Sequence, residues 1–190
     1  MSGHWLHYVW LAYFSKPKGD RALFRLIKNH PIQSLVELGV GDASRAERII
    51  DFARQFVPNG EFSYTGIDLF EGRPDHQEGT TLKEAHGRLK RLDAKVKLIP
   101  GDPFSALARS ANSLAGTDLV LISRDIDQES LEKAWFYLPR MLHEKTMILT
   151  EQVVAEDESG EPAEWAFQAM DSEEIFERAG SKAQHIARAA

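Results

Sequence analysis

Short apolar runs alternate along the chain with longer stretches in which apolar residues recur at helical spacing. The runs are of the kind that a parallel sheet buries on both faces. They predict five strands, at residues 35–38, 62–67, 96–99, 117–123 and 146–150. Helical stripes lie between them, so the pattern predicts an α/β fold. We expect a single doubly wound, mostly parallel sheet with right-handed crossovers and helices on both faces.

The most informative stretch is the turn that follows the first predicted strand. Gly39 and Gly41 allow a tight bend and bring bare backbone close to a bound molecule. Ser44 and Glu47 fit a capping box, so a helix is expected to begin just after the glycines. A strand, a glycine turn and a helix in this order are typical of a nucleotide-type ligand site.

Acidic residues help to choose between two ligands of that type. The dinucleotide fingerprint requires Gly or Ala at its third position, where this chain has Ser44. Glu37 and Asp42 flank the turn with negative charge, which would repel a pyrophosphate but suits the ammonium and sulfonium of S-adenosylmethionine. Asp68, at the tip of the second predicted strand, is placed to accept hydrogen bonds from ribose hydroxyls. Capping of its own loop is the alternative role for Asp68.

The segment Val36-Glu-Leu-Gly-Val-Gly-Asp42 resembles the first motif of class I S-adenosylmethionine-dependent methyltransferases. The resemblance covers residues 35–149 and implies a Rossmann-like domain at 34–190. We expect strand order 3-2-1-4-5, with strands one and four adjacent at the switch point where a ligand lies. The acidic segment 155–163 is interpreted as an exposed loop, and a helix is expected to start near Trp165. The sixth and seventh strands of the family are therefore expected to be shortened or absent.

The resemblance implies a set of cofactor-binding residues at the tips of the first four strands. In the family, an acidic residue just after the third strand lies beside the adenine. Asp102 has that position here, and it also fits as the N-cap of the next helix. The predicted cofactor-binding residues are Glu37, Gly39, Val40, Gly41, Asp68, Leu69, Asp102, Pro103, Phe104 and Ser123.

The exit of the fourth strand resembles small-molecule O-methyltransferases in layout but not in residues. That subgroup has Asp-Gly-Asp-His where this chain has Ser123, Arg124, Asp125 and Ile126, so only one aspartate matches. Asp125 is the candidate general base and Arg124 the candidate for positioning an anionic substrate, with a solvated loop as the alternative role of both. No metal site is predicted, because carboxylates that precede a helix are ordinarily explained by its dipole.

Composition limits the partners and the setting. The net charge is −6 and no long basic run occurs, which argues against nucleic acid as the main partner. The aromatic stretch 5–14 is too short to span a bilayer, and no cysteine is present, so a cytoplasmic protein without membrane association is expected. Residues 1–33 are expected to form a helical segment that either packs on the domain or acts as a lid over the substrate cleft. A monomer and a homodimer are both compatible with the sequence.

These features together favour an S-adenosylmethionine-dependent methyltransferase that acts on a small molecule by direct methyl transfer. Two alternatives remain open. The lost Asp-Gly-Asp-His pattern also fits a binding module that keeps the S-adenosylmethionine or nucleotide pocket without catalysis. An NAD-dependent oxidoreductase uses the same fold, but Ser44 and the acidic turn argue against it.

Overall fold

Strands and helices alternate along the chain in the computed structural model, which describes residues 2–57, 61–74, 77, 79–156, 162–171 and 173–180. The strands are β1 Ser34–Leu38, β2 Ser63–Asp68, β3 Lys95–Pro100, β4 Leu119–Ile122, β5 Met147–Glu156 and β6 Pro162–Ala169. The helices are α1 Ser2–Val9, α2 Asp20–Asn29, α3 Ser44–Ala53, α4 Leu82–Leu89, α5 Pro103–Ser110, α6 Gln128–Ala134 and α7 at 173–180. A π-helical turn, Trp10–Phe14, continues α1.

The six strands form one sheet in the order β3-β2-β1-β4-β5-β6. The first five strands in this order are parallel to one another, which confirms the predicted order and fold class. β1 and β4 lie side by side, and the chain leaves them toward opposite flanks of the sheet. Their carboxyl ends therefore form the switch point at which α/β sheets bind ligands.

A sixth strand is present, and it is antiparallel. β6 pairs with β5 over most of its length, for example Val153 with Trp165 and Thr150 with Gln168. The helix start predicted at Trp165 is wrong, because cross-strand pairing with β5 overrides the helix propensity of this alanine- and glutamate-containing segment. The part of the predicted acidic loop at 157–161 lies outside the described residues.

Two hydrophobic clusters cover the two faces of the sheet. One combines α2 and α3 with strand side chains such as Leu35 and Leu119, and the other places α5 and α6 against Val36 and Val120. Leu11 in the N-terminal segment is fully buried in the first cluster, so this segment packs on the domain. Its role as a lid stays a prediction.

Helix starts were predicted with mixed success. Thr81 and Glu84 form the reciprocal capping box at the start of α4. The box expected from Ser44 and Glu47 does not form, because Ser44 is already the first helical residue of α3. The Asp42 carboxylate accepts the Ser44 backbone N–H at 2.9 Å instead.

In the described part of the chain, no helix combines the length and apolar character needed to cross a bilayer.

Candidate functional site

A cavity of about 810 Å³ opens at the switch point, between the carboxyl ends of β1, β2, β3 and β4. Its size lies within the range of small-molecule sites, about 300–1,000 Å³. Most of the predicted site residues contribute to its wall. Those that line it are Gly39, Gly41, Asp68, Leu69, Asp102, Pro103, Ser123, Arg124 and Asp125.

The glycine turn after β1 forms one side of this cavity. Gly39 has φ +86°, and a Cβ built on it would lie only 2.7 Å from the Ser123 Cβ. Gly41 has φ +64° with open space around it, so its constraint is conformational. Glycine is needed at the first position for close approach and at both for the left-handed backbone. The turn therefore presents backbone without side chains to the cavity.

Asp68 organises this turn from the tip of β2. Its Oδ2 accepts the backbone N–H groups of Val40 at 2.7 Å and Gly41 at 3.0 Å, and its Oδ1 accepts that of Phe70 at 3.1 Å. The loop-capping alternative for Asp68 is thus realised. Because a carboxylate oxygen accepts about two hydrogen bonds, Oδ1 retains capacity for one hydroxyl of a ribose.

Arg73, which the sequence did not single out, competes for the other oxygen of Asp68. Its Nη2 lies 2.6 Å from Asp68 Oδ2 and also donates to the Gly41 carbonyl at 3.1 Å. Its Nη1 donates to the Thr80 carbonyl at 3.2 Å. Because Oδ2 also accepts from Val40 and Gly41, only Oδ1 of Asp68 has capacity for a ribose hydroxyl, with or without this guanidinium. The signal in the sequence that could have indicated this pair is the basic residue Arg73 five positions after Asp68.

Asp102 is the N-cap of α5, as the sequence allowed. Its Oδ1 accepts the Ser105 N–H at 3.0 Å and the Ser130 hydroxyl at 2.5 Å, and its Oδ2 accepts the Ser105 hydroxyl. Partial burial works against ionisation, but these hydrogen bonds outweigh it and lower the pKa of Asp102 to about 2. The wall of the cavity therefore carries a fixed negative charge here at neutral pH.

Three predicted cofactor-binding residues lie outside the cavity wall. Val40 is buried in a small cluster with Ala43 and Phe70, and Phe104 packs its ring 5.8 Å from that of Tyr137. Glu37 is fully buried behind the turn. Only the backbone of Val40 contributes to the site, through its hydrogen bond to Asp68.

Glu37 belongs to a buried ionic cluster beneath the turn. Arg45 Nε donates to Glu37 Oε1 at 2.8 Å, and the Tyr64 hydroxyl donates to Oε2 at 2.5 Å. Arg45 also pairs with Glu151 at 3.3 Å. Burial raises the pKa of Glu37, opposed by Arg45 and Tyr64. Charge counting along the sequence had assigned Glu37 to the ligand, because it overlooked Arg45 in the first turn of α3.

The N-terminus of α3 has a carboxylate of the protein beside it. Asp42 Oδ1 accepts both the N–H and the hydroxyl of Ser44, the latter at 2.6 Å. Partial burial favours the neutral acid, but the hydrogen bonds from Ser44 outweigh it and lower the pKa of Asp42. A helix N-terminus capped by a carboxylate offers a poor site for a phosphate group.

The candidate catalytic residues lie on the loop after β4. Asp125 is 76% exposed in its side chain, and its Oδ1 lies 3.4 Å from Arg124 Nε. The Arg124 backbone N–H points to Glu151 at 3.4 Å. Within the described residues, no group of three or more histidine or acidic side chains is arranged to hold a metal. Asp127 instead caps α6, accepting the Ser130 N–H at 2.7 Å.

A second cavity of about 300 Å³ lies beyond Ser123 and Arg124, which line both cavities. Its walls come from the ends of β4 and β5, from β6, and from α6 and α7. The fully buried Trp135 lines it, together with Gln128, Gln168 and Arg178. The sequence did not predict this cavity, because β6 was not recognised as a strand.

Two solved structures have a fold similar to that of this chain. A provisionally assigned methyltransferase of Escherichia coli, yhhF, shares 17% identity over 79% of this chain and 75% of its own, with a TM-score of 0.51. An O-methyltransferase family protein of Burkholderia thailandensis shares 14% identity over 84% of this chain and 44% of its own, with a TM-score of 0.50. The chain has the fold of class I S-adenosylmethionine-dependent methyltransferases.

The similarity is one of fold. The chain spans 44% of the Burkholderia thailandensis structure and 54% of an S-adenosylmethionine-dependent methyltransferase from Clostridium acetobutylicum. No protein-family model matches the chain, and no curated protein sequence matches it. These comparisons therefore show the fold and neither the ligand nor the reaction.

Proposed function

We propose that the chain binds S-adenosylmethionine in the 810 Å³ cavity and transfers its methyl group to a small molecule. The observation that carries the proposal is the lining of this cavity. Gly39, Asp68 and Asp102 line the same cavity, while the charge of Asp42 lies at the helix N-terminus that a phosphate would need. A cationic adenosyl ligand fits this charge pattern better than an anionic one.

The described residues fit the ligand in three respects. Gly39 and Gly41 line the cavity and carry no side chain, so an adenosyl group can lie against their backbone. Oδ1 of Asp68 has capacity for a ribose hydroxyl. Of the charged side chains that line the cavity, Asp68, Asp102, Asp125 and Asp127 outnumber Arg73 and Arg124.

The protein's share of methyl transfer is mainly alignment. S-adenosylmethionine, when bound, supplies a methyl group on a positively charged sulfur that needs no further activation. Alignment of the acceptor and exclusion of water are then the main tasks of the chain. Ser123 and Arg124, at the boundary of the two cavities, are the residues placed to do this. Asp125 would accept a proton from an acceptor that arrives protonated.

One observation favours a second candidate, a non-catalytic binding module. Asp125 is largely exposed, and Arg73 already engages Asp68, so neither carboxylate is dedicated to a reacting group. Such a module would bind S-adenosylmethionine without consuming it. The NAD-dependent alternative is disfavoured by the capped N-terminus of α3.

Transfer of a radiolabelled methyl group from S-adenosylmethionine tests the proposal. The full-length protein would be incubated with panels of small carboxylates, phenols and amines, and label would be measured in each acceptor. Label in an acceptor, lost in Gly39→Ala, supports the enzyme. Tight binding of S-adenosylmethionine with no label in any acceptor would favour the binding module, and the absence of both would overturn the proposal.

A further inference from the structure

The second cavity, at the ends of β4, β5 and β6, contains hydrogen-bond donors that the protein leaves unused. Trp135 is fully buried, and among the described residues its indole Nε1 has no acceptor. The same holds for the buried Nη1 of Arg124. Both residues line this cavity. Buried donors are nearly always paired in folded proteins, so two in one cavity indicate a ligand that supplies acceptor oxygens.

The acidic side chains of the cavity are not available to these donors. Glu151 accepts from Arg45 Nη1 at 3.3 Å and from the Arg124 backbone N–H at 3.4 Å. Glu174 pairs with Arg178 at 2.7 Å across one turn of α7. Both carboxylates are therefore engaged elsewhere. Trp135 Nε1 and Arg124 Nη1 are left as two donors without an acceptor among the described residues.

The charge balance limits the ligand to a single negative charge. Arg124 and Arg178 contribute two positive charges to the cavity wall, and Glu151 and Glu174 contribute two negative ones. The two glutamates repel a phosphate dianion more strongly than a carboxylate, and the guanidinium of Arg124, whose own partner Asp125 is largely exposed, favours a single negative charge. Planar carboxylates also match the fork of an arginine.

We infer that this cavity binds the methyl acceptor, and that the acceptor is a small carboxylic acid held through its carboxylate by Trp135 and Arg124. The identification of the ligand as the acceptor rests on the proposed function, because Ser123 and Arg124 connect this cavity to that of S-adenosylmethionine. A volume of about 300 Å³ suits a molecule with one ring. A pocket of this volume is too small to enclose a macromolecule.

The experiment measures carboxylate binding without any methyl transfer. The ¹⁵N-labelled full-length protein is titrated with benzoate, and the indole N–H resonances of its four tryptophans are followed. Trp135→Phe identifies the resonance of Trp135. We expect benzoate to shift this resonance in a saturable way and its neutral analogue benzamide to shift it far less. Arg124→Gln is expected to weaken benzoate binding about tenfold.

The matched control is Arg91→Gln, which removes an exposed arginine outside both cavities. It should leave the benzoate titration unchanged. An unshifted Trp135 resonance at millimolar benzoate, or equal binding of benzamide, would overturn the carboxylate site. Tighter binding of inorganic phosphate than of benzoate would overturn the choice of a monoanion. Benzoate binding in a protein that does not bind S-adenosylmethionine would support the anion site and refute the proposed function.

Discussion

The two cavities that meet at Ser123 and Arg124 treat their polar groups in opposite ways. In the larger one, Asp68 and Asp102 accept most of their hydrogen bonds from the protein's own turns and helix starts. In the smaller one, Trp135 Nε1 and Arg124 Nη1 have no acceptor within the described residues. The larger cavity is thus held in shape before any ligand arrives. The smaller one is completed by what binds there.

The largest effect on stability is expected from a change in the buried ionic cluster of Glu37 and Arg45, which lies beneath the glycine turn of the larger cavity. Glu37→Gln removes the main partner of the nearly buried Arg45, and loss of one member of a buried ion pair costs about 3–5 kcal/mol. Chemical denaturation would measure the free energy of unfolding. The control, Glu47→Gln, makes the same change in the surface pair with Arg88 and should cost about 0–1 kcal/mol. Equal effects of the two variants would refute the structural role of Glu37.

Gly39 tests the rigidity of the turn itself. Gly39→Ala combines a left-handed backbone with a clash against Ser123, and should lower the free energy of unfolding by about 2–4 kcal/mol. Gly41→Ala meets no atom within 4 Å, so only the backbone cost of about 1–2 kcal/mol is expected.

Gly87 provides the control of opposite sign for this glycine series. It lies in α4 with nothing within 4 Å of an added Cβ. Gly87→Ala should stabilise by about 0.5–1 kcal/mol, because alanine is the better helix former. Thermal unfolding of the three variants gives the order. A Gly39→Ala protein as stable as the Gly41→Ala protein would contradict the close approach to Ser123.

The pH dependence of stability tests the charges beneath the larger cavity. Burial raises the pKa of Asp20 from 3.8 to about 6, against the opposing influence of Arg45 and Arg48. The folded state then holds this proton more tightly than the unfolded chain. The resulting stability is present below about pH 4 and is lost as the pH rises through about 6.

Asp20→Asn removes this titration. The slope of unfolding free energy between pH 4 and 6 should become flatter, by a total of roughly 1–3 kcal/mol over the interval. Denaturation at a series of pH values measures it. Identical slopes in the two proteins would show that Asp20 does not titrate in this window.

The smallest effect concerns the competition at Asp68. Arg73→Gln removes the ion pair with Asp68, whose Oδ2 still accepts from Val40 and Gly41, so the charge of Asp68 is no longer neutralised by the protein. We expect the dissociation constant of S-adenosylhomocysteine to fall about fivefold, equivalent to about 1 kcal/mol, because the cavity wall has lost a positive charge. Calorimetric titration of the variant and the parent protein provides the comparison. Weaker binding by the variant would show that Arg73 contacts the ligand instead of competing with it.

The sequence predicts the larger cavity far better than the smaller one, for physical reasons. The central strands β1 and β4 are short, largely apolar and almost fully buried, and the glycines mark the turn after β1, so these features follow from local pattern. β6 contains Glu164, Ala166 and Gln168 on a sheet edge, where pairing and not propensity decides the structure. Without β6, the second cavity has no wall.

Ion pairs between side chains were the second feature that the sequence did not predict. Glu37 and Asp68 were assigned to a ligand because both are acidic and lie near strand ends, but the structure gives each a protein partner, Arg45 and Arg73. Arg45 lies in the first turn of α3, and Arg73 lies in a loop without a pattern. Such partners depend on which side chains meet in space. A reading of charge along the chain does not contain that information.

Calorimetric titration of the full-length protein with S-adenosylmethionine, S-adenosylhomocysteine and NADH tests the central claim most directly, since it asks which ligand the acidic cavity accepts. We expect saturable binding of both adenosyl ligands, its loss in Gly39→Ala, and no binding of NADH. Binding of NADH in preference to the adenosyl ligands, or no heat from either adenosyl ligand at millimolar concentration, would contradict it.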